Sequence, residues 1–255
     1  MTFNQYGDRY EAQSVAPASR RVRARPRMTL LLHPIKMVSQ LGWRGYSLAH
    51  LAIHPHIFFK QLYAIDWYQQ TLVDWLTWLN PDTGSRILEV GCSTGEFAAE
   101  LAQQGFKVTG MDRSARAIQH ANRYHRHATL QFEVGDALHL PPSLQDFSYT
   151  LAASLLNVVT DPALLLSEMT RVTASHGVVS CLFPTPAMTS AAAHEFIQQQ
   201  HLRGFAAEVI LLWARLAVKL EPSMIIARFT SAQLGNVRNA TFLQGMLCGV
   251  SGNKR

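Results

Sequence analysis

Residues 87–97 read ILEVGCSTGEF. An apolar strand carrying the acid Glu89 runs into Gly91, Cys92, Ser93 and Gly95, small residues that open a helix. In a doubly wound α/β sheet such a turn lies at the carboxyl edge of the strands, where a nucleoside ligand is held. The residue types suit that place. Gly91 and Gly95 let the backbone turn and come close to a ligand where a Cβ would collide, while the free amides at the helix start face the same space. Glu89 sets a carboxylate beside the turn. Two phosphate-binding loops are excluded. A dinucleotide fingerprint begun at Gly91 requires glycines where Ser93 and Glu96 stand, and a P-loop requires a Gly-Lys-Ser/Thr ending where Glu96 follows Gly95. An acid there would repel phosphate.

Two more strands close the same way. Residues 107–112 (KVTGMD) end on Asp112 about 20 residues after the first turn, where a carboxylate can accept both ribose hydroxyls. Residues 130–134 are followed by Gly135, Asp136 and Ala137. One strand-end acid is ordinary, a solvated turn former or a helix cap; acids closing three consecutive strands at βαβ spacing are not.

The pattern acid-x-Gly-x-small-x-Gly resembles motif I of class I S-adenosylmethionine-dependent methyltransferases. That resemblance implies an α/β fold, a doubly wound, mostly parallel sheet of seven strands, with S-adenosyl-L-methionine as cofactor. It places Asp112, with Arg113 beside it, at the ribose and Asp136 with the Ala137 amide at the adenine. The loop of Glu89, Gly91, Cys92, Ser93 and Gly95 then holds the methionine portion. From residue 147 the chain reads FSYTLAASLLNVVTDPALLLSEMTRVTASHGVVSCLF, similar in order and spacing to the family's fourth strand, helix and fifth strand. Thr160 or Asp161 with Pro162 predicts the helix start and Gly177 its stop. Ser154, ending strand four, would contact the methionine amine or face the acceptor. The chain departs from the pattern at Ser93, which replaces a glycine with another small residue, at Ser148, and at Asn157-Val158, where many relatives carry a His pair. Losing the histidines removes the obvious polar group on the acceptor side, so no general base is assigned.

Composition agrees with one catalytic domain plus appendages: 255 residues at 48% hydrophobic content can bury a sizeable core. Cys92, Cys181 and Cys248 are too scattered for zinc and odd in number for a disulfide framework, which predicts a reducing cytoplasm. The polar start MTFNQYGDRYEAQ is not a secretory signal. Histidines 50, 54 and 56 and histidines 120, 125 and 127 read as surface or capping residues rather than metal ligands.

Charge is uneven. Residues 1–27 hold six arginines against Asp8 and Glu11 and read as a loosely ordered basic arm, able to meet anionic headgroups or nucleic-acid phosphates. Residues 28–61 are apolar but interrupted, too broken for a spanning helix, and read as a helical extension packed on the core or resting on a membrane surface. Residues 62–79 predict one helix ended by Pro81. The core domain is expected over 62–255, with an inserted lid at about 184–230 that includes an apolar helix over 205–220. RFTSAQL then opens a further helix, and 237–242 and 246–250 form the last two strands. The expected activity is methyl transfer to a small, hydrophobic acceptor, similar to that of enzymes acting on quinone precursors or lipids. A nucleic-acid methyltransferase using the basic arm and a non-catalytic binding module are the alternatives.

Overall fold

The computed structural model describes residues 55–255 together with Gly42, Gly45, Ser47 and Ile53. The expected basic arm, and the expected extension up to residue 54 apart from those four positions, lie outside the described residues.

Strands β1 (Arg86–Val90), β2 (Lys107–Asp112), β3 (Leu130–Val134), β4 (Phe147–Ala153), β5 (Thr173–Pro184), β6 (Leu234–Phe242) and β7 (Leu247–Lys254) form one sheet. Their order is β3-β2-β1-β4-β5-β7-β6. β1 to β5 pair in parallel, and β7 runs antiparallel to both β5 and β6. The order reverses between β1 and β4, so a crevice opens at their carboxyl ends. The fold class is the one the three acid-ended strands predict.

The helices are α1 (Pro55–Tyr63), α2 (Asp66–Leu79), α3 (Glu96–Gln103), α4 (Ala115–Tyr124), α5 (Pro162–Val172), α6 (Ser190–Gln199), α7 (Gly204–Leu216) and α8 (Pro222–Ser231). Buried side chains of α1 to α4, α6 and α7 gather into one core cluster and those of α5 and α8 into the other, on opposite faces of the sheet. Covered on both sides, β1 is apolar on both: Ile87, Leu88 and Val90 are fully buried. Alternation along the strand puts Glu89 on the face of Ile87, the face covered by α2 and α3. Trp75 of α2 ties that layer to the sheet. Its indole Nε1 donates to Ser180 Oγ at 3.1 Å, and that hydroxyl donates to the Val250 carbonyl at 3.0 Å, so both buried polar groups are satisfied.

Several local expectations need correction. The helix predicted over 62–79 is two. Ile65 is extended (φ −88°, ψ 124°) between α1 and α2, and the break lets Tyr63 and Tyr68 meet edge to face at 5.2 Å. α2 ends at Asn80, whose amide still bonds to the Leu76 carbonyl but whose left-handed backbone (φ 51°) turns the chain away before Pro81. α5 starts as expected, with Asp161 accepting the Ala163 and Leu164 amides, but Gly177 does not stop it. Thr173 follows Val172 in extended geometry and its hydroxyl closes on the Met169 carbonyl at 2.7 Å. Gly177 lies inside β5, where a Cβ would come within 3.0 Å of the Ala174 and Phe147 carbonyls at the register shift between β4 and β5.

The helix expected over 205–220 stops at Leu216, and Lys219 Nζ folds back to the Ala214 carbonyl at 2.7 Å. RFTSAQL does not open a helix. Pro222 does, and Thr230 and Ser231 bond back to the Ile226 and Ala227 carbonyls in the last turn of α8. Within the expected insertion, α8 packs on β6 and β7, while the end of α7 lies over the crevice. Both final strands are longer than predicted, at Leu234–Phe242 and Leu247–Lys254.

Candidate cofactor and acceptor site

The turn after β1 is held by the strand beside it. The Gly91 and Cys92 amides donate to the Met111 carbonyl at 2.7 and 2.9 Å, which fixes the loop to the end of β2. Gly91 (φ 82°) and Gly95 (φ 84°) take left-handed backbone, and Ser93 (φ 49°) takes it without being glycine. This contortion aims the Ser93 amide at Asp112 Oδ2, 2.9 Å away, while Oδ1 accepts the Ser114 amide at 2.8 Å. Two loops therefore clamp one carboxylate. Each oxygen keeps a further lone pair for a ligand hydroxyl. Ser114 also caps α4 by accepting the Ala117 amide.

Above this clamp lies a cavity of about 520 Å³. Gly91, Ser93, Asp112, Arg113, Asp136, Ala137 and Ser154 line it, so seven of the ten residues singled out in the sequence converge on one space. Glu89, Cys92 and Gly95 are not among the lining residues. Cys92 is fully buried behind the loop, and burial raises its thiol pKa. Gly95 faces the core. A Cβ there would fall 2.5 Å from the Phe132 ring and 2.9 Å from Ala121, so glycine serves the packing of α3 rather than approach to a ligand.

Glu89 sits beneath the loop, 1% exposed, and neither carboxylate oxygen has a hydrogen-bond partner among the described residues. Burial, then the charges of Glu96 and Asp112, push its pKa up to about 8; the nearby Ala98 amide offsets only part of this. Its charge in turn adds to the burial that raises the Tyr63 and Tyr68 hydroxyls, both of which line the cavity. Ser154 Oγ and Asn157 Oδ1 are likewise buried with no hydrogen-bond partner among the described residues, and both residues line the cavity. Orphaned polar atoms gathered on one cavity are what a polar ligand would satisfy.

Asp136 differs. Its carboxylate is more than half exposed at the rim, with His139 Nδ1 at 3.0 Å from Oδ2 and the Leu138 amide at 3.0 Å from Oδ1. These partners, His139 first, hold its pKa below the usual value.

Most of the remaining lining is apolar. α1 contributes Phe58, Phe59 and Leu62, and α7 with the following residues contributes Leu212, Trp213, Leu216 and Val218. Trp213 stands edge-on to Tyr68 at 5.6 Å and to Trp67 at 6.0 Å, which seats α7 on α2. Sequence periodicity marked Tyr68 only as a core position and missed Tyr63 and Trp213. Their exposure to the cavity depends on the break at Ile65 and on the path of α7, which no local pattern carries.

Residues 87–177, spanning β1 to the start of β5 and every loop of the polar floor, match the family described as a methyltransferase domain. Over those residues the chain is similar to that methyltransferase domain family. Both apolar walls, α1 and α7, lie outside the matched residues. Over 106 residues the chain is 38% identical to a demethylmenaquinone methyltransferase of Beutenbergia cavernae, covering 40% of this chain and 42% of that protein. Over 106 residues it is 32% identical to a malonyl-[acyl-carrier protein] O-methyltransferase of Hamiltonella defensa, covering 42% of this chain and 40% of that one. The match thus spans less than half the length of these relatives. In fold it is similar to a Haemonchus contortus phosphoethanolamine N-methyltransferase solved with S-adenosylhomocysteine, at a TM-score of 0.59 and 14% identity over 83% of this chain and 60% of that one.

Proposed function

We propose that this chain is a methyltransferase that moves the methyl group of S-adenosyl-L-methionine to a small apolar acceptor by in-line displacement. The observation that carries the reading is the clamped Asp112, a preset acceptor pair for a ribose diol on the floor of a cavity whose other end is apolar. The orphaned polar atoms of Ser154 and Asn157, which line the cavity, fit the amino-acid end of that cofactor. When bound, the cofactor supplies a methyl group already activated on a sulfonium.

The chain's own part is placement and exclusion of water. Asp112 holds the ribose, and Asp136 with the Ala137 amide borders the adenine. Gly91 and Ser93 approach the methionine portion, with the buried carboxyl of Glu89 beneath the loop. Phe58, Leu62, Tyr63 and Trp213 dry the space in front and orient the acceptor. Among the described residues, Arg113 beside Asp112 and His56 are the cavity-lining side chains that can carry positive charge, which favours a neutral acceptor over nucleic acid. The named activities of the two curated relatives, one on demethylmenaquinone and one on malonyl-[acyl-carrier protein], support small-molecule acceptors without selecting between them. The three free cysteines suit a reducing cytoplasm.

The test is transfer of labelled methyl from S-adenosylmethionine to a panel of phenolic, enolic and carboxylic apolar acceptors. Label in an organic-extractable product, with S-adenosylhomocysteine formed in equal amount, is expected. Cofactor binding with no transfer to any acceptor would leave a binding module instead.

A further inference from the structure

Three side chains at the cavity mouth are out of place for a surface facing only water. Val158, Leu216 and Val218 line the cavity yet are 67%, 60% and 58% exposed, so they form an apolar collar around the opening. Charge gives a second, separate observation. Residues 1–61 carry nine Lys and Arg against two acids, +7, whereas the whole chain is +6, so residues 62–255 carry −1. All the excess positive charge therefore precedes or lies in α1, the helix that walls this cavity. Exposed Arg215 flanks the collar beside Leu216.

We propose that the collar docks on an anionic lipid–water interface and that the apolar acceptor passes from the bilayer through it into the cavity. The collar supplies the shallow apolar contact, and the basic stretch leading into α1 supplies attraction to anionic headgroups. No helix among the described residues is long and apolar enough to cross a membrane, so the contact is peripheral. The purpose of the contact rests on the proposed apolar acceptor. The contact itself is measured without cofactor, so its failure and the failure of the cofactor reading are separate results.

The test is co-sedimentation of the full chain with phosphatidylcholine vesicles, with and without phosphatidylglycerol, at low and high salt. Binding to the anionic vesicles that high salt weakens is expected. Leu216→Asp and Val218→Asp should each weaken it by about tenfold, because each removes an apolar anchor and adds a repelled charge. Unchanged melting temperatures would show that these exposed substitutions leave the fold intact. Absence of binding, equal binding to both vesicle types, or anionic binding that neither substitution alters would overturn the proposal. So would a dimer in light scattering that the same substitutions split, since the collar would then cover a second copy of this chain.

Discussion

Glu89 and Gly95 flank the same loop and fail in different ways when changed. The fold keeps Glu89 protonated up to about pH 8, whereas its ordinary pKa is 4.5. Between those values the folded state binds more protons than the unfolded chain, so this residue makes stability fall as pH rises through that window. Glu89→Gln removes the titration. Urea unfolding at pH 5 and pH 8 should show the variant gaining stability relative to the parent at the higher pH, on the order of a few kcal/mol. An equal difference at both values would mean Glu89 is not held neutral. Gly95→Ala meets Phe132 at 2.5 Å in left-handed backbone and should cost about 1–3 kcal/mol of stability. Gly91→Ala shares the left-handed strain but meets only the flexible end of Leu155 at 3.2 Å, and Gly91 lines the cavity, so this variant should lose less stability than Gly95→Ala and more cofactor affinity. Calorimetric melting and S-adenosylhomocysteine titration of both variants would show whether the two glycines divide this way. The sequence marks both as special but does not say which faces a ligand, because that depends on Phe132 arriving from β3.

At the scale of elements, α7 joins packing and covering. Trp213 seats it on Trp67 and Tyr68 of α2, and Trp67 Nε1 donates to the Ala206 carbonyl at 3.3 Å. Trp213→Ala should destabilise the chain by about 2–4 kcal/mol and raise KM for the acceptor more than for the cofactor, whose polar floor it leaves intact. Steady-state kinetics with either substrate varied would check this, and equal rises would contradict it. Element starts were more legible than stops. Asp161-Pro162 is a local signal and opens α5 as read. Gly177 and RFTSAQL misled because their roles come from strand pairing and from the last turn of α8. The break at Ile65 has no glycine or proline to announce it; the tertiary meeting of Tyr63 and Tyr68 sets it.

For the whole molecule, three acid-ended strands at βαβ spacing were enough to read the sheet, because parallel strands buried on both faces leave their chemistry only at the carboxyl edge. The same logic did not reach the acceptor wall. α1 and α7 are distant in sequence and meet only over the finished crevice. Asp112 is where all levels join: the sequence spacing, the end of β2, the amides of two loops and the cavity floor. Calorimetric titration of S-adenosylhomocysteine into the parent chain and into Asp112→Ala therefore tests the account most directly. It predicts saturable binding that the substitution weakens by about tenfold or more, the worth of charge-assisted hydrogen bonds. No heat at millimolar ligand, or the same affinity in a folded Asp112→Ala variant, would contradict it.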